Sequence, residues 1–132
     1  MAQRSRVSLV TYETSCTCTT KERFDFVDIT ERIQHAVAGS GVRDGRATVF
    51  SPTDDCSLLL NERESGLLED VRGALDRVSK GGLMDPPSTI GAKSVVLPVV
   101  DGRLRLGTWQ RLLLFELDSS RERSVRVQVI GE

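Results

Sequence analysis

The last third of the chain leaves the backbone little freedom. Residues 94–100, Ser-Val-Val-Leu-Pro-Val-Val, and residues 103–106 flank Asp101-Gly102. A two-residue Asp-Gly step between β-prone runs matches the positive φ angles of a tight hairpin turn. Residues 110–117 and 124–130 supply two more strands, joined through 118–123. Hairpin-linked strands pair antiparallel, so the natural architecture is an α/β domain of the α+β type: mainly antiparallel sheet folded into a sandwich, with two principal helices inserted.

The rest of the chain supplies those helices. Leu67, Leu68, Val71, Ala74, Leu75 and Val78 recur at helical spacing, with charges on the other side. An earlier helix starts at Asp28-Ile29-Thr30-Glu31, where a short oxygen-bearing side chain can accept from unpaired amides. It buries Ile33, Ala36 and Val37, and Gly39-Ser40-Gly41 ends it. His35, the one histidine, lies about 200° around this helix from Ile33 and should face solvent. Residues 7–19 suit a strand or two at a sheet edge, and 24–27, 47–50 and 57–60 read as short strands. Pro52-Thr53-Asp54-Asp55 forms a turn between the last two. The segment 79–93 carries Gly81-Gly82 and Pro86-Pro87 and reads as an irregular loop.

Size and charge narrow the function classes. At 132 residues the chain suits one domain, 1–132, with a single core. Its 18 basic and 19 acidic residues give a net charge of −1, so no global field draws it to nucleic acid or an anionic membrane. The basic start, Arg4-Ser5-Arg6, is followed by no apolar run of signal or membrane length, and a cytoplasmic address is expected. Cys16, Cys18 and Cys56 are odd in number and sparse, unlike a disulfide framework, so reduced thiols are expected.

The run from Pro98 through Asp101-Gly102 to Gly107-Thr108-Trp109-Gln110 resembles the C-terminal motif of the YjbQ family, and Gly107 to Gln110 is its most specific part. Further matches are Asp28-Ile29-Thr30, Asn61-Glu62, Asp70 and the ending Glu116…Arg121-x-Arg123, so the resemblance covers nearly the whole chain from about Thr19. It implies a sandwich with helices against it, a homotrimer, and polar residues in a cleft near subunit boundaries. For some members it also implies secondary thiamine-phosphate synthase activity, joining a pyrimidine pyrophosphate to a thiazole phosphate. The family pattern ahead of Asn-Glu is Pro-His-Thr-(Thr/Ser), whereas this chain reads Pro52-Thr53-Asp54-Asp55. A second family histidine falls on Met84, and a third belongs to a loop that is shortened here. Neither Thr53 nor Met84 replaces imidazole in metal binding or in proton transfer near neutral pH.

The candidate cleft therefore comprises Thr53, Asp54, Asp55, Asn61, Glu62, Met84, Trp109 and Gln110. Arg121 and Arg123 are candidate phosphate ligands, since guanidinium forks pair with phosphate bidentately. No cofactor and no zinc site are expected, and Mg²⁺ is the ion that Asp54, Asp55 and Glu62 would hold. Trp109 is expected to pack in the core or between subunits, and the cysteines to pack as small hydrophobes. Three readings follow: a diverged, non-catalytic family member that keeps the trimeric scaffold and a small-molecule cleft; a Mg²⁺-assisted enzyme acting on phosphorylated substrates; and a structural module that binds another protein through sheet edges or the loop 81–88.

Overall fold

The computed structural model describes residues 8–80 and 90–132. Along these the order is β1 (Val10–Thr19), β2 (Phe26–Asp28), α1 (Thr30–Ser40), β3 (Gly45–Phe50), β4 (Cys56–Asn61), α2 (Ser65–Lys80), β5 (Ser94–Val100), β6 (Arg103–Leu104), β7 (Arg111–Glu116) and β8 (Glu122–Gly131). A five-stranded sheet runs β1-β8-β3-β5-β6, and a three-stranded sheet runs β2-β7-β4. Every pairing between these strands is antiparallel. The α+β sandwich read from the sequence is the observed fold.

The side-chain periods explain the layers. β8 alternates, so that Arg123, Val125, Val127 and Val129 point inward from the large sheet while Ser124 and Arg126 face out. β7 does not alternate. Its residues Leu112 to Glu116 are all buried, because both faces of the small sheet are covered. Leu112 and Leu114 face the main core with Ile33 and Val37 of α1, Val49 of β3 and Val127 of β8. Phe115 and Leu117 face a second cluster with Phe24 and Leu75, against which Val71 of α2 packs.

Local signals act as expected in several places. The Asp28 carboxylate accepts the Thr30 amide at 3.0 Å where α1 starts. Gly41 ends α1 at φ 73°, its amide donating to the Ala38 carbonyl. Asp101 and Gly102 take φ values of 53° and 76°, as a tight hairpin turn requires. His35 is exposed.

Three boundaries differ. α2 continues through Lys80, because Arg77 and Lys80 suit the negative end of the helix and Lys80 Nζ pairs with Asp76 at 2.9 Å. β6 ends at Leu104, and β7 begins only at Arg111. The apolar stripe of α2 is incompletely covered within the chain, with Leu67 and Val78 exposed. Met84 and the loop 81–88 lie outside the described residues.

Candidate functional site

Two polar clusters sit at opposite ends of the small sheet. The first follows from register. Glu116 shares the inward face of β7 with Leu112 and Leu114, and Arg123 shares the inward face of β8 with Val125, so the two sheets carry opposite charges toward each other at one end of the sandwich. Arg123 Nε donates to Glu116 Oε1 at 2.8 Å and its Nη2 to Oε2 at 2.5 Å, a bidentate pair. Glu116 is fully buried and Arg123 is 6% exposed. The Thr20 hydroxyl donates to Glu116 Oε1 at 2.6 Å, and the Asp118 amide donates to Oε2 at 3.2 Å. Arg123 Nη1 reaches Asp55 Oδ1 at 2.8 Å, and Arg121 bonds Asp118 while lying 3.7 Å from Asp55 Oδ2. Cys56 pairs with Glu116 across β4 and β7, and Cys18 with Arg123 across β1 and β8, so two thiols flank the ion pair.

This arrangement fixes protonation. Burial alone would push the Glu116 carboxyl up, yet the bonds from Arg123, Thr20 and the Asp118 amide outweigh it and hold the carboxyl below its usual range. Asp55 is likewise held low, desolvation being outweighed by Arg123 and by a hydrogen bond from Thr53. The hydrogen bonds that Arg123 donates to Glu116 raise its own pKa further. Burial pushes the Cys56 thiol up to about 11, and Cys18 is raised for the same reason. The carboxylates are therefore ionised and the thiols protonated at neutral pH, and the guanidinium of Arg123 is already bound within the fold.

The second cluster surrounds Arg111. Its Nε donates to Asp28 Oδ2 at 2.7 Å and its Nη2 to Glu31 Oε1 at 2.8 Å, which ties β7 to the start of α1. Burial would raise the Asp28 carboxyl, but Arg111 and Thr30 hold it below its usual range. Just before β7, Gly107 to Gln110 form a self-locked turn: the Gln110 amide donates to the Gly107 carbonyl at 3.0 Å, and the Gly107 amide donates to Gln110 Oε1 at 2.8 Å. A Cβ on residue 107 would lie 2.9 Å from that Oε1, so a larger residue there would push the Gln110 side chain out of this lock. Beside Arg111, an open cavity of about 570 Å³ lies between α1 and the β5–β6 hairpin, lined by Thr30, Glu31, Gln34, Arg103, Leu104 and Arg111.

The residues singled out in the sequence divide between these ends. Thr53, Asp55, Arg121 and Arg123 belong to the first, with Asp54 exposed beside them and its carbonyl accepting Lys93 Nζ at 2.8 Å. Asn61, which pairs with Arg111, lies at the second, followed by Glu62. Gln110 and Trp109 lie there too. A six-residue strand separates the ends by about 17 Å, so Asp54 and Asp55 do not converge with Glu62 in one chain and do not fit a shared Mg²⁺. Among the described residues no three His, Cys, Asp or Glu side chains gather at metal-binding distance. Trp109 is not in the core. It is 72% exposed, because β7 begins only at Arg111 and leaves it in the locked turn before the strand.

Sequence reasoning left Glu116, Thr20, Asp28, Glu31 and Arg111 out of the site. A signal existed for Glu116, an acid inside the apolar run 112–117, since a charge buried in such a run requires a partner. Thr20 carried none.

A family model described as UPF0047 protein YjbQ-like matches residues 14–83 and 87–132. A UPF0047 protein of Archaeoglobus fulgidus is 35% identical over 126 residues, covering 86% of this chain and 98% of that protein. UPF0047 protein YugU of Bacillus subtilis is 28% identical, covering 85% and 94%. Among solved structures, a YbjQ-like protein of unknown function from Sulfolobus solfataricus superposes with TM-score 0.84 at 30% identity, covering 95% of this chain and all of that one. A hypothetical protein from Aeropyrum pernix superposes with TM-score 0.83 at 33% identity, covering 92% and 99%. These relatives are themselves uncharacterised, and the chain belongs to the UPF0047 YjbQ-like family.

Proposed function

We propose that this chain is a homotrimeric small-molecule-binding member of its family, in which the scaffold persists while thiamine-phosphate synthase chemistry is absent or very weak. The observation that carries this reading is the ion-paired network beside Thr53. Where the family has an imidazole this chain has the exposed Thr53, and next to it the Asp55 and Glu116 carboxylates are both taken up by Arg123. A general acid or base works best with a pKa near the working pH, and its loss typically forfeits roughly 10²–10⁴-fold in rate. Carboxyls held low and a thiol pushed up to about 11 supply no such group.

Assembly rests on different support. Trp109 stands at the tip of a turn locked by Gln110, and Leu67 and Val78 leave an uncovered stripe on α2. A tryptophan side chain removes roughly 150–250 Å² from water when covered, and a rigid turn presents it at little entropic cost. Three free cysteines support a reducing, cytoplasmic setting, and no helix among the described residues is long and apolar enough to cross a membrane.

The experiment supplies purified protein with pyrimidine pyrophosphate, thiazole phosphate and Mg²⁺, beside a family member that carries all three histidines. Little or no product from this chain is expected, and Thr53→His alone should not restore it. Turnover comparable to the histidine-bearing relative would overturn the reading.

A further inference from the structure

A second cavity, about 410 Å³, opens between β2 and the first turns of α2, and neither Thr53, Asp55, Glu116 nor Arg123 lines it. Its charges are unevenly matched. The carboxylates on its wall are all engaged: Asp28 by Arg111, and Asp25 and Glu69 by Arg72 at 3.6 and 3.5 Å. Three cations on the same wall are not paired with acids. Among the described residues, Arg32 donates only to the Asp28 carbonyl, and the charged ends of Lys21 and Arg63 make no hydrogen bond or ion pair. Ser65 lines the same cavity, and Phe26, Val27 and Leu68 give its lining an apolar part. Phe26 is held flat against Phe115, ring centroids 4.2 Å apart, so this wall is rigid.

We propose that this cleft is a binding site for a small oxyanion-headed molecule, whose charged head meets Lys21, Arg32 and Arg63 and whose apolar body lies against Phe26 and Leu68. Three like charges lining one concave, partly apolar wall repel one another until an anion enters, and low-dielectric walls concentrate their field. Guanidinium groups pair with phosphate or carboxylate through parallel N–H···O bonds, which gives the site orientation as well as attraction. The inference goes beyond the proposed function, since it needs neither assembly nor the loss of proton transfer around Thr53.

The test uses the intact chain and two probes, inorganic phosphate and phenyl phosphate, with sodium chloride at matched ionic strength as control. Thermal unfolding and ³¹P line broadening report binding, because a ligand that binds only the folded state raises the melting temperature in proportion to the logarithm of its concentration above Kd. Phosphate should stabilise at millimolar concentration, with the ³¹P signal saturating, and phenyl phosphate should act at lower concentration by covering Phe26. Lys21→Ala with Arg63→Ala should fold normally, as neither side chain holds a structural bond, and should weaken both probes at least tenfold. Phosphate acting no differently from chloride, or equal binding by the double variant, would overturn the proposal. A benzoate arm separates the two head groups: equal response to benzoate and phenyl phosphate assigns the site to carboxylates and phosphates alike, and preference for phenyl phosphate assigns it to phosphate esters.

Discussion

Arg123→Met removes the guanidinium from a pair in which Glu116 is fully buried and Arg123 is 6% exposed. Glu116 would keep only the Thr20 hydroxyl and the Asp118 amide as donors. Breaking one side of a buried ion pair costs roughly 3–5 kcal/mol, mostly the penalty of leaving the other charge uncompensated. Asp55 adds little, because its side chain is one-third exposed and water screens it. For a chain of this size each kcal/mol moves the melting temperature by roughly 3–4 °C, so a fall of about 10–20 °C is expected. Denaturant and thermal unfolding near neutral pH, at one fixed protein concentration, measure it. The sign with pH is a second check. In the parent, Glu116 and Asp55 are held below their unfolded values, so their contribution is present above the unfolded carboxylate pKa and is lost as pH falls through the folded values. In the variant, burial without the guanidinium raises Glu116 above its unfolded value, so the deficit should shrink on acidification. Arg123→Met with Glu116→Met should recover most of the loss, since an apolar pair of similar volume is often neutral or stabilising. A single-variant cost under about 1 kcal/mol, or a double variant as unstable as the sum of the two, would refute the reasoning.

Arg111→Ala should destabilise by roughly 1–3 kcal/mol, because Asp28 is left with only Thr30; urea unfolding checks this. The chain has one tryptophan, so its fluorescence reports directly on Trp109. Light scattering should give the mass of three chains, with emission shifting to the red on dilution into monomer; a stable monomer across micromolar concentrations rules the assembly out. Metal analysis after purification without added metal should find less than stoichiometric zinc, and one tightly held zinc per chain would show that Cys16, Cys18 and Cys56 had been underrated.

The fold was largely legible because each element announces its own period. The helical stripe of α2, the Asp101-Gly102 turn and the alternation of β8 can all be read without knowing what they touch. Boundaries slipped where local preference was weak: Gln110 looks strand-like in sequence, yet its side chain is taken by the Gly107 amide, and β7 starts after it. The site was less legible because it depends on register between distant segments. Arg121 and Arg123 look like free phosphate ligands until β7 and β8 are aligned, when Glu116, Asp55 and Asp118 prove to face them. Asn61-Glu62 and Asp54-Asp55 look close in sequence, but an extended strand of six residues holds them apart.

Within the network beside Thr53, neither the Glu116 and Asp55 carboxyls nor the Cys56 thiol is poised to move a proton near neutral pH. The direct measurement is an NMR titration of ¹³C-labelled Glu116, Asp55 and Cys56 side chains in the folded protein. The account predicts that both carboxyls titrate below the ordinary carboxylate range and that the Cys56 thiol stays protonated up to about 11. Any one of the three titrating between about pH 6 and 8, where a catalytic acid or base is most effective, would contradict it.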